Sequence, residues 1–455
     1  MPVRLTRRSV VTGLGSGAVA FAAACRPTAP APAQEGAPKK VSGTIVWFVR
    51  NNPPELEWEE QGAIPAFRQR FPEVTIELVP TPNAEFDTKL FSLISAGTPP
   101  DLWTHWGTAG FGDYHARGLL EDLTPLVTRD KLDLSQYMPP TQDVWKRDGK
   151  IYALSFNQRF GCFIFYNRDL FDKHSLKYPP ADWDDRSWTW ERMVEAARAI
   201  SSGDGAQRNF GVQFAGASAY WAIAYIFGGD FFMPEHYTTG LATTSKADSP
   251  EVIQAVQERA DLTHRHRVWP TSEEIRAAGI SGNLFMSGRL GMIYDGGWGW
   301  VNYITAPFRI GAAPAPWVRD NKTTNYINPW MMSVEARNKP ATWEFIKWHI
   351  SEEGQRVLVE YKFQPVLKSA LDNWLKQAEK WGAPEELRKL TEGGTRKGIL
   401  SPNQTFVEYN RLAQAAFAHL DQVQAGTRGA ADACRAVKAE WDVLLKEISA
   451  QYGKK

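Results

Sequence analysis

Two tryptophans within residues 285–300, FMSGRLGMIYDGGWGW, are the side chains best suited to recognise a ligand. Alternating apolar residues predict a short buried strand. The Asp-Gly-Gly at 295–297 predicts a turn, because glycine enters positive φ freely. Trp298 and Trp300 follow, and each indole joins a large apolar face to a polar N–H group. Such faces suit a ligand with an apolar face and a polar rim, such as a sugar ring. The alternative is that both tryptophans are core anchors.

Other residue types that could do chemistry form no recognisable catalytic or metal-binding pattern. Neighbouring carboxylates occur at 184–185, 352–353 and 385–386, but adjacent side chains point apart and are more simply solvated surface. His264 and His266 lack the i, i+4 spacing of a helical metal site, and the sequence contains no GxSxG, HExxH or phosphate-binding loop. We therefore predict no enzyme, no cofactor and no metal, with a secreted carbohydrate-active enzyme as the alternative.

Composition favours a large two-part body that binds no nucleic acid. A chain of 455 residues is too long for one hydrophobic core. Its 52 Lys and Arg residues balance 51 Asp and Glu residues, and no basic run occurs after the N-terminus. The 19 tryptophans exceed ordinary core needs, so some are free to line a site. Cys162 and Cys434 fit buried thiols better than a disulfide or a metal pair.

Residues 1–25 predict an export signal with a lipid attachment site. Arg7 and Arg8 precede a short apolar stretch, as in secretory signals, and that stretch is too short for a comfortable membrane span. The arginine pair resembles a twin-arginine signal, and AAAC, ending at Cys25, resembles a bacterial lipobox. Residues 26–40 predict a flexible tether. The chain is thus expected to be held at the outer face of the cell membrane by a lipid on Cys25. A simple cleaved signal with a free cysteine is the alternative.

The elements that would position a site alternate between strand and helix. Strands are predicted at 44–49 and 74–78 and a helix at 86–96, an order typical of a mostly parallel sheet with helices on its faces. Ligands of such sheets lie beyond the carboxyl ends of the strands. Arg50 and Asn51, directly after the first strand, are therefore candidate ligand contacts, with ordinary turn chemistry as the alternative.

A series of motifs resembles the extracellular solute-binding proteins of ABC importers, the family whose best-known members bind maltose and other sugars. The motifs, in order, are AEFDTKLFSLISAGTPPDLW, GLLEDLTPLV, DGKIYALSFNQRFGCFIFYNRDLFDKH, PPADWDDRSWTWERMVEAARAI, FMSGRLGMIYDGGWGW, RIGAAPAPW and ATWEFIKWHISEEGQRVL. The resemblance implies an α/β, two-lobed, type II periplasmic-binding-protein fold that closes over a small-molecule sugar. It implies a monomer that passes the sugar to ABC permease subunits without a chemical step. A surface adhesin is a further alternative, which the two-lobe pattern disfavours.

The resemblance also implies where the chain crosses between lobes. Lobe 1 is predicted from 41–155 and 307–362, and lobe 2 from 159–305 and 366–455. The hinge crossings are predicted at 155–158, 306–311 and 363–366. Helices are predicted at 190–200, 220–227 and 342–349, and terminal helices within 401–452.

Ligand contacts can be carried over from the family position by position. Trp106 falls where a family member has a sugar-contacting tryptophan, although Ala109 and Gly110 replace the charged contacts that follow it there, which argues against maltose itself. Trp298 matches the family's stacking tryptophan. Trp221 lies where an aromatic residue of the second lobe lines the cleft.

Weaker correspondences complete the predicted site. Tyr409 matches another aromatic contact, and Gln158 and Arg159 lie at the first crossing. Asn328 and Trp330 lie in the segment that returns to the first lobe. Core packing is the alternative for each of these residues. The solute class is left open, because Arg50 together with Arg159 would also suit an anion.

Overall fold

The computed structural model describes residues 41–105, 109–159, 161–215, 219–303, 305–377 and 384–453. The strands are, in chain order, β1 (Gly43–Arg50), β2 (Val74–Thr81), β3 (Leu102–Trp103), β4 (Lys146–Arg147), β5 (Lys150–Ile151), β6 (Leu154–Arg159), β7 (Cys162–Asn167), β8 (Phe210–Phe214), β9 (Leu290–Gly296), β10 (Ile310–Ala313), β11 (Thr323–Met332) and β12 (Gly398–Leu400).

The helices lie between and after these strands. They are α1 (Pro53–Glu57), which continues through a π-helical turn (Trp58–Ala63) into α2 (Ile64–Arg70), α3 (Phe86–Ser95), α4 (Phe111–Ala116), α5 (Thr124–Arg129), α6 (Arg168–Lys173), α7 (Trp190–Ile200), α8 (Ala219–Ile226), α9 (Pro234–Thr239), α10 (Pro250–His264), α11 (Ser272–Ala277), α12 (Gly299–Asn302), α13 (Lys339–Ile350), α14 (Glu352–Glu360), α15 (Leu371–Gln377), α16 (Pro384–Lys397), α17 (Pro402–Thr405), α18 (Tyr409–Gln424) and α19 (Ala430–Tyr452). Of the helices described, none combines the length and the apolar character that a membrane span requires.

The first sheet is mixed and has the strand order β12-β11-β3-β1-β2, with β6 also paired to β11. Strand β1 runs parallel to β2 and β3, whereas β11 runs antiparallel to β3 and β6. Parallel neighbours need a crossover connection, which α1–α2 and α3 provide. The carboxyl ends of β1, β2 and β3 consequently meet at one edge of the sheet.

Alternation along β1 builds a core on each face of the first sheet. Ile45, Trp47 and Val49 pack in the cluster that contains helix α13. Phe48 points the other way and packs with Phe86 of α3. Both faces are covered, which is why the strand reads as the nearly continuous apolar run TIVWFV. We call this sheet and its two cores the first lobe.

The second sheet has the strand order β10-β7-β9-β8 and also carries two cores. Ile164 and Tyr166 of β7 join the cluster that contains α7, α18 and α19. Phe163 and Phe165, on the opposite face, pack with α15 and α16. This sheet and its cores form the second lobe. The predicted helices at 86–96, 190–200, 220–227 and 342–349 correspond to α3, α7, α8 and α13.

The first crossing lies later in the chain than predicted. The residues at 155–158 belong to β6, whose whole length pairs with β11 of the first sheet, through Trp330 opposite Leu154 to Tyr326 opposite Arg159. The chain joins the second sheet at Cys162, which pairs with Gly296. All six residues of β6 are buried, and the strand includes the residues that the sequence predicts as the first crossing.

The second crossing is also later than the predicted 306–311. Strand β10 (Ile310–Ala313) pairs with β7 of the second sheet, so the chain leaves that sheet between β10 and β11. Gly311 lies within β10, where a Cβ would lie 2.1 Å from the Tyr166 ring, so this glycine serves close packing. Lobe 1 therefore resumes near Thr323 rather than at 307. The segment 366–455 is predicted for lobe 2, but its strand β12 pairs with β11 of the first sheet.

The segment 363–366 runs antiparallel to β6. Asn157 and Pro365 form a bridge, and the Gln158 side-chain amide donates to the Pro365 carbonyl at 3.0 Å. The Gln355 side-chain carbonyl of α14 accepts from the Val366 amide at 2.8 Å. Phe363 belongs to a core of the first lobe and Leu367 to a core of the second. The chain thus passes between lobes alongside the strand that makes the first passage.

Candidate functional site

A cavity of about 480 Å³ opens where the carboxyl ends of the first-sheet strands face α12 of the second lobe. This volume is within the range of roughly 300–1,000 Å³ usual for small-molecule sites. Its walls come from the ends of β1 and β6, from β11, from α12 and from the loops between them. The lining residues are Arg50, Asn51, Asn52, Pro54, Glu55, Asn83, His105, Arg159, Trp298, Val301, Asn302, Tyr326, Asn328, Phe363 and Asn403.

An aromatic pair from two lobes forms one wall. Trp298 is half-buried and stands at the N-terminus of α12, and its ring meets Tyr326 of β11 edge-on, with centroids 4.9 Å apart and planes at 70°. Tyr326 belongs to the first sheet and Trp298 follows the last strand residue of the second. The indole is therefore held by both lobes at the cavity, where its apolar face can pack against an apolar face of a ligand.

The glycines before Trp298 act by close packing rather than by a positive φ. The predicted turn lies later than 295–297: β9 extends to Gly296, the turn is at 297–298, and neither Gly296 nor Gly297 has a positive φ. A Cβ on Gly296 would lie 2.3 Å from the Trp298 ring. Glycine at this position lets the indole rest against the strand backbone.

The charged side chains of the cavity are unevenly paired. Arg50, the last residue of β1, donates from Nε and Nη2 to both carboxylate oxygens of Glu55 on α1. Glu55 is only 3% exposed. A bidentate pair of this kind fixes both groups and directs the loop that carries Asn51 and Asn52.

Arg159, the last residue of β6, is 6% exposed and lines the same cavity. Its Cζ lies 5.0 Å from the centroid of the Phe363 ring, a cation–π contact. Its guanidinium has no hydrogen bond or ion pair within the part of the chain that the structure describes. Burial lowers its pKa to about 10, so the group is still a cation at neutral pH.

Neutral polar groups make up most of the remaining wall. Six asparagines contribute amides, each of which both donates and accepts hydrogen bonds. Asn328 is oriented by donating from Nδ2 to Oδ1 of Asn157 at 2.5 Å. His105 contacts the Gln404 side chain, and burial, with Arg50 nearby, lowers its pKa to about 3, so its imidazole is neutral. The asparagines are Asn51, Asn52, Asn83, Asn302, Asn328 and Asn403.

Four predicted contacts are buried in cores and do not line this cavity. Trp221 is fully buried in the second lobe and donates from Nε1 to the Tyr409 hydroxyl at 2.8 Å; Tyr409 itself is 8% exposed. Trp300 packs edge-on against Phe165 at 5.0 Å. Trp330 is the fourth, and it stacks on the Phe156 ring in the first-lobe core, with a centroid separation of 4.0 Å. These are the core-anchor roles that the sequence left open.

The other predicted contacts divide between the cavity, the hinge and the undescribed residues. Arg50, Asn51, Arg159 and Trp298 line the cavity together, as does Asn328. Gln158 is buried, and its side chain ties β6 to the third crossing instead. Trp106 and Cys25 lie outside the described residues.

Several lining residues escaped the sequence interpretation. Tyr326 is two residues before Asn328 on β11, so the alternation of a strand places it on the same face and could have identified it. Glu55 follows Arg50 by five residues, and its opposite charge was a usable signal. Asn83 and Asn403 each follow a proline in surface-like sequence, and nothing in their surroundings distinguishes them from ordinary turn residues.

Comparisons with known proteins agree with this architecture. The profile of the bacterial extracellular solute-binding proteins matches residues 52–356. The maltotriose-binding protein of Pyrococcus abyssi is 24% identical over 342 residues, which cover 73% of this chain and 68% of the relative. The erythritol/L-threitol-binding protein of Mycolicibacterium smegmatis is 22% identical over 376 residues, covering 74% of this chain and 73% of the relative.

A solved structure shows the same fold. The ABC substrate-binding protein of Listeria monocytogenes in complex with cycloalternan superimposes with a TM-score of 0.73 at 20% identity, covering 91% of this chain and 100% of that one. The predicted two-lobed α/β fold is confirmed by this similarity. The carbohydrate and polyol relatives differ in what their names say they bind, so their names do not identify one ligand for this chain.

Proposed function

The chain belongs to the bacterial extracellular solute-binding proteins, and from that premise we propose that it captures a carbohydrate in the cavity between its lobes and delivers it to the permease of an ABC importer. Members of this family bind solutes outside the cytoplasm and are not enzymes. Sugar-binding relatives on the same fold support a carbohydrate ligand.

The observation that carries the proposal is the half-buried Trp298 beside a wall of amides. A pyranose ring has an apolar C–H face, which an indole covers, and equatorial hydroxyls, which accept and donate hydrogen bonds. Asparagine amides offer both functions without a net charge. Exclusion of water on closure strengthens those hydrogen bonds.

The cavity walls come from both lobes, and a bound ligand would therefore favour closure of the lobes. Asn51 and Asn328 belong to the first lobe, whereas Trp298 and Asn302 belong to the second. A ligand that contacts both sets is bound more tightly when the lobes approach, so its binding free energy favours the closed state. The permease would then recognise the closed molecule, and no bond of the ligand is broken.

The location of the protein is part of the same proposal. Lipidation of Cys25 and the tether at 26–40 would hold the two lobes at the outer face of the cell membrane, close to the permease. A monomer suffices, since both walls of the cavity come from one chain.

Thermal unfolding against a ligand panel tests the proposed function. The panel contains mono- and oligosaccharides, sugar acids, sugar phosphates, polyols and amino acids. A ligand at a hundred times its dissociation constant adds about 2.7 kcal/mol to the unfolding free energy and raises the melting temperature. We expect a rise with one carbohydrate class, together with compaction in solution scattering. A rise only with amino acids, or with no member of the panel, would contradict the proposal.

A further inference from the structure

We propose that the ligand is an acidic carbohydrate, whose single carboxylate is received by the guanidinium of Arg159. This inference rests on the proposed function, because it specifies which carbohydrate the same cavity takes. It goes beyond the relatives considered above, whose names state neutral sugars or polyols. The observations behind it are the charge of the cavity, the burial of Arg159 and the absence of a partner for it among the described residues.

The described residues of the cavity wall carry one more positive charge than negative charges. Among the described lining residues, two guanidinium groups, Arg50 and Arg159, stand against one carboxylate, Glu55. Glu55 is already engaged by both donors of Arg50. His105 adds no charge at neutral pH, since its pKa is lowered to about 3. The charge left over is that of Arg159.

Nearby carboxyls do not supply the missing negative charge. Glu59 lies four residues after Glu55, in the π-helical turn that follows α1, and is 1% exposed, but burial raises its pKa well above the ordinary value, with Glu55 adding to the shift. It is therefore held towards its neutral, protonated form. The opposite charge that acts on Arg159 is Glu55, and the Arg50 cation bound to that carboxylate opposes its effect.

A guanidinium that is 6% exposed and has no ion-pair partner among the described residues is costly to the folded protein. Removing a cation from water is strongly unfavourable unless a counter-charge and hydrogen bonds replace the lost hydration. The Phe363 ring returns only part of that energy through its cation–π contact. A ligand anion in the cavity would supply the missing counter-charge and hydrogen bonds. The protein thus holds, at the end of β6, a binding group prepared for an anion.

The size of the uncompensated charge favours a carboxylate over a phosphate. One net positive charge is neutralised by one carboxylate, whereas a phosphate monoester carries about −1.5 to −2 at pH 7. The planar guanidinium also matches the two oxygens of a carboxylate in a bidentate arrangement. A sugar acid such as a uronic acid combines this group with a ring for Trp298 and hydroxyls for the asparagines.

Matched pairs of ligands test the inference on the unaltered protein. Calorimetric titration compares glucose with glucuronate, galactose with galacturonate, and the corresponding neutral and acidic oligosaccharides. Glucose 6-phosphate and galactose 6-phosphate form the phosphate arm. We expect the acidic member of the preferred pair to bind about ten- to a hundredfold more tightly than the neutral one, the range that a hydrogen bond to a charged group supplies.

Two variants separate the guanidinium from general electrostatics. Arg159→Gln removes the charge and should abolish the preference for the acidic member, so that the ratio of the two affinities falls to near one. Arg159→Lys retains the charge but not the planar fork, and should preserve only part of the ratio. Trp298→Ala serves as the control, because it should weaken the acidic and neutral members together and leave the ratio unchanged.

The outcomes distinguish this inference from the proposed function. Equal or tighter binding of the neutral member would overturn the acidic ligand while leaving carbohydrate binding intact. Tighter binding of the sugar phosphate would contradict the proposal that Arg159 receives a carboxylate. Binding of no carbohydrate, neutral or acidic, would overturn the proposed function itself. An unchanged ratio in folded Arg159→Gln protein would remove Arg159 from the anion site.

Discussion

Two tryptophans separated by a single glycine have opposite environments. Trp298 is half-buried at the cavity wall, whereas Trp300 is 2% exposed and packs on Phe165. The one-turn helix α12 begins between them, so the two side chains leave the backbone in different directions. The pair therefore offers a matched test of ligand contact against core packing.

Replacing each tryptophan by alanine should separate affinity from stability. Trp298→Ala should weaken carbohydrate binding by about 1–3 kcal/mol, because the stacking face is lost, with little change in unfolding free energy. Trp300→Ala should lower the unfolding free energy by about 3–5 kcal/mol, as expected for a buried aromatic residue. Titration calorimetry and denaturant unfolding measure the two effects. Full affinity in Trp298→Ala would exclude the stacking role.

The types of residue that line the cavity could be predicted from the sequence better than the full set of lining residues. A tryptophan beside glycines, and polar residues after a buried strand, suggested Trp298, Arg50 and Asn51, and all three line the cavity. Trp221 and Tyr409 could not be excluded in the same way, because a buried indole N–H needs a partner and a buried hydroxyl supplies one. That pairing depends on residues 188 positions apart, which no local pattern reveals.

At the scale of elements, the end of β9 determines where the Trp298 ring can lie. Gly296 is the last residue of the strand, and the indole occupies the space that a side chain on Gly296 would fill. The backbone at Gly296 is outside the left-handed region, so alanine is allowed there by φ. Alanine at position 296 would consequently displace the Trp298 ring without straining the backbone.

Gly296→Ala should displace the Trp298 ring and weaken ligand binding by up to about the 1–3 kcal/mol lost in Trp298→Ala. The reason is the 2.3 Å separation between the added Cβ and the ring. In a double variant with Trp298→Ala, the glycine substitution should cost no further affinity, because no ring remains to be displaced. A double-mutant cycle by calorimetry measures this coupling, and additive losses would contradict the close-packing role.

Elements with a regular period were predictable, whereas the first two passages between lobes were not. Helix α7 was located correctly because its apolar residues recur with the helical period. The crossings depend on which sheet a strand joins, and β6 and β10 are apolar and buried whichever sheet they join. Their pairing with β11 and β7 is set by distant residues, so the sequence placed both boundaries too early.

At the scale of the whole molecule, buried histidines connect stability to pH. His349 lies in the aromatic core of the first lobe and His236 in the second lobe, and burial lowers their pKa values to about 3 and about 4. An unfolded histidine titrates near 6.5. Each of these groups thus contributes stability that is complete above pH 6.5 and is lost as pH falls towards its folded pKa.

Removing one histidine should flatten the acid limb of the stability profile. The unfolding free energy of His349→Gln, relative to that of the unaltered protein, should rise by about 1.4 kcal/mol per pH unit as pH falls from 6.5 towards 4. The difference isolates this histidine from the buried carboxyls Asp113 and Asp230, whose raised pKa values of about 6 act in the opposite direction. Urea unfolding at a series of pH values measures it. Parallel profiles would show that His349 is not held neutral.

Strand β11 is synthesised long after β1 and β3, and this order affects how the nascent chain folds. Strands β1 and β3 are complete by residue 103, but their antiparallel neighbour ends at residue 332. A ribosome adds roughly 5–20 residues per second, so the nascent first lobe waits on the order of tens of seconds with an open, apolar sheet edge. Nascent chains stopped before residue 323 should therefore depend on chaperones. Completion of the first sheet is a late, long-range event, and it sets the moment at which the binding cavity first exists.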